Sequence, residues 1–241
     1  MNIKIPYTPR KHQSYLHQQI NKHRWSVLVC HRRFGKTVCM INHLIKSALM
    51  CTHKNPRFAY IAPTFKQAKS IAWDYMKQFT DKIPSTKFNE TELRVDLPNG
   101  ARITLLGAEN SDGLRGIYLD GCVIDEYANI DGKLFAEIIR PALSDRKGYC
   151  VFIGTPAGMN NNFYDLYQHA NGAEDWFNYK AKASNTKIVD QEELDKAREI
   201  MGEKKYLQEF ECDWIANIEG AIYGDEVAKL DDKKQLARVP Y

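Results

Sequence analysis

Eight consecutive residues, Cys30-His31-Arg32-Arg33-Phe34-Gly35-Lys36-Thr37, have the types and the spacing to hold a polyphosphate. A short apolar run, Ser26 to Cys30, precedes them, and a segment of helical periodicity over 36–50 follows. A loop in that context points free backbone N–H groups at a ligand, and the helix dipole favours an anion there. Gly35 lets the backbone approach phosphates closely, Lys36 places a charge on the β and γ groups, and Thr37 offers a hydroxyl to Mg²⁺. One position departs from G-x-x-x-x-G-K-[ST]: Cys30 stands where the first glycine belongs. A chance Gly-Lys-Thr at a helix start is the competing reading.

A second constellation decides between them. Cys122-Val123-Ile124-Asp125-Glu126 is an apolar strand ending in two adjacent carboxylates. From a strand's C-terminal end Asp125 can reach the Mg²⁺ held by Thr37, and Glu126 can polarise an attacking water. The two motifs together predict binding of a nucleoside triphosphate with Mg²⁺. A third strand end, Val151-Phe152-Ile153-Gly154-Thr155-Pro156, would lie beside them, with Thr155 able to sense the γ-phosphate. Read blandly, Gly-Thr-Pro is only a turn.

These side chains must be positioned by alternating elements. Residues 10–23 read as a helix, 26–30 as a strand, 36–50 as a helix, 58–62 as a strand stopped by Pro63, and 64–79 as a helix. Alternation over 92–97 and 102–106 around Pro98-Asn99-Gly100 is a hairpin signal. Buried strands follow at 121–124 and 150–153, with a helix at 133–140 between them. Short apolar strands separated by helices predict an α/β fold with a mostly parallel sheet covered on both faces. Past residue 183 two amphipathic helices, 190–202 and 203–211, follow with no strand between them. The expected division is a core over 1–183, a small helical subdomain over 184–228, and a polar linker over 229–241.

Composition bounds the rest. In 241 residues, 44% hydrophobic and 27% charged side chains fit an ordinary folded chain and argue against disorder. Lysine and arginine number 34 against 30 acids, a net +4, which permits a local nucleic-acid patch without demonstrating one. No run approaches the roughly 18 apolar residues of a membrane span, and the N-terminus lacks an apolar signal core, so a cytosolic location is expected. The six cysteines form no C-x-x-C pair and read as reduced core residues; the seven histidines show no metal-ligand spacing and read as surface or structural.

With the three motifs in this order, the chain resembles the large subunit of tailed-phage terminases, the ATP-driven motors that package DNA into procapsids. The resemblance covers nearly the whole chain, along the family's N-terminal ATPase domain. The loop is similar to the family's Arg-rich phosphate loop, in which the first glycine is commonly missing and Arg32 matches an arginine that contacts phosphate. Gln13 is placed like the family's adenine-recognising glutamine. Ile61-Ala62-Pro63-Thr64 with Gln67-Ala68 resembles a helicase-like motif. Leu114-Arg115-Gly116 looks like the segment that supplies a trans-acting arginine, and Gly154-Thr155-Pro156-Ala157-Gly158 resembles the motif coupling hydrolysis to DNA movement.

The resemblance implies a P-loop NTPase fold of the RecA/ASCE-like kind. It implies ATP contacts from Gln13, His31, Arg32, Arg33, Phe34, Gly35, Lys36 and Thr37, a Mg²⁺ site from Thr37 and Asp125, and catalytic roles for Glu126, Arg115, Arg32 and Thr155. The implied partners are double-stranded DNA, the portal protein of the procapsid and the terminase small subunit. A homo-oligomeric ring is expected on assembly, with a monomer allowed in isolation. The expected place of action is the cytoplasm of the infected host cell, away from any membrane and outside the finished virion. Family members usually continue into a nuclease domain, and Arg238-Val239-Pro240-Tyr241 falls about where it would open. Asp225, Glu226, Asp231 and Asp232 therefore read as solvated acids, and an isolated motor domain without nuclease activity is expected.

Other arginines carry open readings. Arg33 reads as an outward salt-bridge residue ahead of a DNA contact. Arg115, between Gly113 and Gly116, suits a mobile or intersubunit position, and Arg140 and Arg146 are the next finger candidates. Glu203-Lys204-Lys205 reads as a solvated helix face. A superfamily-two helicase shares these motifs but needs a second RecA-like domain, for which this chain has no room. A non-hydrolysing nucleotide-gated DNA-binding module would have no use for Glu126.

Overall fold

The computed structural model describes residues 5–216, so residues 217–241, with Asp225, Glu226, Asp231, Asp232, the end of the expected helical subdomain and the expected linker, lie outside the described residues. Burial on both faces decides which strands are central. Trp25–Cys30 (β1), Arg57–Ala62 (β2), Gly121–Ile124 (β6) and Tyr149–Gly154 (β7) are apolar almost throughout and buried almost throughout. Such strands need helices on both sides. Lys11–Ile20 (α1), Lys36–Met50 (α2) and Asp74–Thr80 (α4) cover one face, contributing Leu16, Ile41, Leu44 and Met76 to its core. On the other, Leu134 and Ile138 meet Phe163 of Asn162–Gly172 (α6) and Trp214.

The hairpin is present as Arg94–Asp96 (β4) and Arg102–Gly107 (β5), closed by Leu97 N–H to the Ala101 carbonyl at 2.8 Å. Lys87–Asn89 (β3) adds a third antiparallel strand. Trp176–Ala181 (β8), an element with no clear periodic signal, pairs parallel to β1. The eight strands run β3-β4-β5-β2-β6-β7-β1-β8, parallel from β5 to β8. In this order β7 separates β1 from β6, so the ends of all three face one crevice. Ligands of open parallel sheets bind at such a place, outside the carboxyl ends of the strands.

Two helices are less regular than their periodicity predicts. The segment over 64–79 becomes Phe65–Ala68 (α3), a π-helical stretch Lys69–Trp73, then α4; the segment over 133–140 is π-helical at Leu134–Ile139 and continues into Arg140–Ala142 (α5). After β8 come Ala183–Thr186 (α7), Gln191–Met201 (α8) and Glu203–Phe210 (α9), with a small core of their own made by Ala183, Leu194, Tyr206 and Phe210. All six cysteines are free thiols, five of them buried. No helix among the described residues is long and apolar enough to cross a membrane.

Candidate nucleotide-binding site

The loop between β1 and α2 turns through two left-handed residues, Arg33 (φ 68°) and Gly35 (φ 88°). Gly35 is the helix cap, and the first bond of the helix runs from Cys39 N–H to the Gly35 carbonyl at 3.1 Å. The amides of Lys36, Thr37 and Val38 therefore have no carbonyl within the helix, as at any helix start, and are the donors an anion would use. Lys36 Nζ donates to the carbonyls of Cys30 (2.8 Å) and His31 (3.2 Å), which draws the ammonium across the loop.

Asp125 leaves the end of β6 on the same side of the sheet as Val123. Its amide is bonded to Ile61 of β2, and the residue is 4% exposed. One carboxylate oxygen accepts the Glu126 N–H at 2.8 Å, and the other accepts the hydroxyl of Tyr60. Burial pushes the Asp125 carboxyl above the usual range, opposed by the Tyr60 bond, the Lys36 charge and the Glu126 N–H. Glu126 itself is held at φ 48°, a left-handed conformation that costs a non-glycine residue about 1–2 kcal/mol. Strain of this kind persists where surroundings impose it, commonly at functional sites.

These groups meet in a cleft of about 580 Å³. Its walls are the loop (Arg32, Arg33, Lys36, Thr37), the β6 end (Asp125, Glu126) and the β7 end with Thr155. Helix α9 supplies the fourth wall through Lys205, Gln208 and Glu209. The helical segment is fastened there by a backbone contact, Arg32 N–H donating to the Glu209 carbonyl (2.8 Å), while His31 N–H donates to the Ala181 carbonyl at the end of β8 (3.0 Å). Sequence reading assigned Lys205 to a solvated face, yet it lines the cleft. Its amphipathic helix carries no motif, and only docking on the strand ends shows which face turns inward.

Several expected side chains are placed differently. The His31 ring is fully buried, bonded to the Arg32 carbonyl (2.6 Å) and the Thr186 hydroxyl (2.7 Å), and burial pushes its pKa down. Phe34 is fully buried in the core. Both contribute to the loop's shape, not a side chain to the cleft. Gln13 is 4% exposed beneath the loop; its amide nitrogen donates to the Gly35 carbonyl (3.2 Å) and its oxygen accepts the Arg10 N–H (2.9 Å). The glutamine thus braces the loop and is not presented at the cleft. Arg33 makes no ion pair among the described residues and lines the cleft beside Arg32, which corrects its outward salt-bridge reading.

Arg115 is outside the cleft of its own chain, exposed and 3.9 Å from Glu137. Arg140 is exposed on α5 and likewise outside it. Arg146 is fixed at the opposite strand ends: its guanidinium donates to the Lys54 carbonyl (3.2 Å), lies 3.7 Å from Asp120 and covers the Tyr118 ring at 4.5 Å. The same end gathers Cys51, His53 and Asp120, whose ligand atoms lie within 4.8 Å of one another, a grouping that sequence spacing did not show. The Asp120 carboxylate there is already engaged by Arg57 N–H (2.7 Å) and the His53 ring (2.6 Å).

Comparison with known proteins places this geometry. Residues 29–229 match the family model described as terminase large subunit, T4likevirus-type, N-terminal. The terminase large subunit of Thermus phage G20c is 30% identical over 126 aligned residues, covering 44% of this chain and 26% of the relative. The chain thus spans about a quarter of the length of that protein. Among solved structures, the large terminase ATPase domain of Thermus phage P74-26 superposes with TM-score 0.73 at 21% identity, covering 87% of this chain and 95% of that one. The large terminase of another thermophilic bacteriophage, in complex with ADP, gives TM-score 0.72 at 15% identity, covering 85% and 53%. Both structures share the fold.

Proposed function

This chain belongs to the T4-like terminase large-subunit N-terminal family, and on that premise we propose that it is the ATP-hydrolysing domain of a motor that drives double-stranded DNA into procapsids. The observation that carries the reading is the convergence of Lys36, Thr37, Asp125, Glu126 and Thr155, from three strand ends, in one cleft.

The chemistry follows from the placement. The triphosphate of ATP is held by the amides at the start of α2 and by Lys36, Arg32 and Arg33. Thr37 and Asp125 offer hard oxygen donors from two walls of the cleft, the kind that suits Mg²⁺. They would hold that ion, which when bound neutralises charge on the β and γ oxygens. Glu126 accepts a proton from a water as the water's oxygen bonds to the γ-phosphorus. The bond to the β–γ bridging oxygen breaks, and ADP and inorganic phosphate are released. Thr155, beside the γ position, reports the change to the chain beyond β7.

Arg115 lies where it cannot serve its own cleft without rearrangement. It is assigned to a neighbouring subunit's γ-phosphate in a homo-oligomeric ring at the portal of the procapsid. The small subunit is assigned as a further partner, and the host cytoplasm as the place of action. Nuclease chemistry is not assigned to this chain.

Release of phosphate from ATP with Mg²⁺, with and without double-stranded DNA, tests the reading. Tight ATP binding with slow turnover by the isolated chain is expected, because no neighbour supplies Arg115. Absence of both binding and turnover overturns it. Incubation of supercoiled plasmid with Mn²⁺ should leave the plasmid closed; metal-dependent nicking that follows the protein through purification overturns the nuclease assignment.

A further inference from the structure

Tyr60 has no place in the mechanism above, yet its hydroxyl is bonded to Asp125, one of the two residues assigned to the metal. It sits on β2, opposite Val123 of β6, so Asp125 is its diagonal neighbour two residues further along the adjacent strand. The side chain is fully buried in the apolar core that also holds Phe58, Ile41, Leu44 and Val123. Phenylalanine would fill the same space. A buried hydroxyl costs free energy unless it is bonded, so the oxygen needs a specific reason to be there.

Its bond supplies one. The phenol donates its single proton to an oxygen of the Asp125 carboxylate. That bond fixes one oxygen of Asp125 while the Glu126 N–H holds the other. Groups that orient metal-binding side chains in this way commonly change metal affinity about 10–100-fold when removed.

We propose that Tyr60 is a positioning residue for the divalent-cation site, setting the Asp125 carboxylate in the geometry that a nucleotide-bound Mg²⁺ requires. This inference rests on the ATPase reading.

The test compares parent and Tyr60→Phe proteins in three measurements: binding of a fluorescent ADP analogue in EDTA, Mn²⁺ binding in the presence of ADP by electron paramagnetic resonance, and the thermal midpoint in EDTA. Tyr60→Phe should keep its midpoint and its metal-free nucleotide affinity and should bind Mn²⁺ about 10–100-fold more weakly. Mn²⁺ affinity within twofold of the parent overturns the role of Tyr60 while leaving the ATPase reading standing. Parallel loss of metal-free nucleotide affinity and of the thermal midpoint shows a packing role and overturns it too. A parent protein that binds neither nucleotide nor Mn²⁺ overturns the ATPase reading itself, and the assignment of Tyr60 with it.

Discussion

Gln208 donates a buried hydrogen bond of 2.5 Å to the carbonyl of Pro156, tying α9 to the strand end that carries Thr155. The glutamine is 4% exposed, and its oxygen accepts from Lys205 at 3.2 Å, so both ends of the amide are used. A change at the Thr155 end of the cleft thereby has a direct bonded route to the helical segment.

Removing that bond should loosen the segment selectively. Gln208→Ala leaves the Pro156 carbonyl without this partner in a buried setting, a loss of about 1–3 kcal/mol. Amide hydrogen exchange across α8 and α9 should accelerate by one to two orders of magnitude, roughly what that loss implies, while β1 and β7 keep their protection. Unchanged exchange in α9 would show that the bond contributes nothing to docking.

The loop and the strand end should separate binding from turnover. Lys36→Ala removes the charge for the β and γ phosphates and should abolish ATP binding or hydrolysis. Glu126→Gln keeps the side chain's shape and should leave binding intact while slowing hydrolysis about 10²–10⁴-fold, the usual contribution of a positioned base. Filter binding and phosphate release on the same preparations distinguish the two. Parent-like hydrolysis by Glu126→Gln removes that residue from the mechanism.

Complementation reads the site of action of Arg115. Under conditions where subunits assemble, Lys36→Ala and Arg115→Ala proteins should each be inactive. Their mixture should recover turnover, since intact loops then face intact arginines. A finger supplied in trans is worth about 10³–10⁵ in turnover, so recovery is measurable at small fractions of mixed rings. No recovery in rings shown to be mixed assigns Arg115 to its own subunit, and Arg140 and Arg146 become the next candidates.

Acid should destabilise the fold before the carboxylates titrate. His17 and His43 stack with ring centroids 5.3 Å apart and their Nδ1 atoms at 3.1 Å. Burial, followed by nearby positive charge, lowers His17 from 6.5 to about 4 and His43 from 6.5 to about 3. Between those values and 6.5 the unfolded chain binds more protons than the folded one. Stability is therefore full above pH 6.5 and falls as pH drops toward 4 and then 3. For His17 alone the loss is on the order of 3 kcal/mol, at 1.36 kcal/mol per pKa unit. Thermal midpoints should fall between pH 6.5 and 5, and His43→Phe should flatten that slope. An identical slope in the variant assigns the acid sensitivity elsewhere.

The chemistry of this chain was legible in the sequence because it is local. Gly35-Lys36-Thr37 and Asp125-Glu126 each sit where a strand stops, and strand ends are marked by apolar runs of four to six residues. Those runs also determine the parallel sheet, since a strand apolar on both faces requires cover on both. What sequence order does not contain is lateral position. Only strand pairing puts β7 between β1 and β6 and so places Thr155 in the cleft. Pairing also places β8, whose half-buried aromatic residues carry no clean period, at the edge beside β1. The same limit explains the misplaced side chains. Gln13, His31 and Phe34 share a motif's neighbourhood, but their direction depends on what packs beneath the loop. Tyr60 falls in a strand marked only by its apolar run, Gln208 in an amphipathic helix without a motif, and Lys205 in a stretch read as a solvated face. The bonds that give Tyr60 and Gln208 their parts in the site join residues 65 and 52 positions apart along the chain, which only tertiary packing brings together.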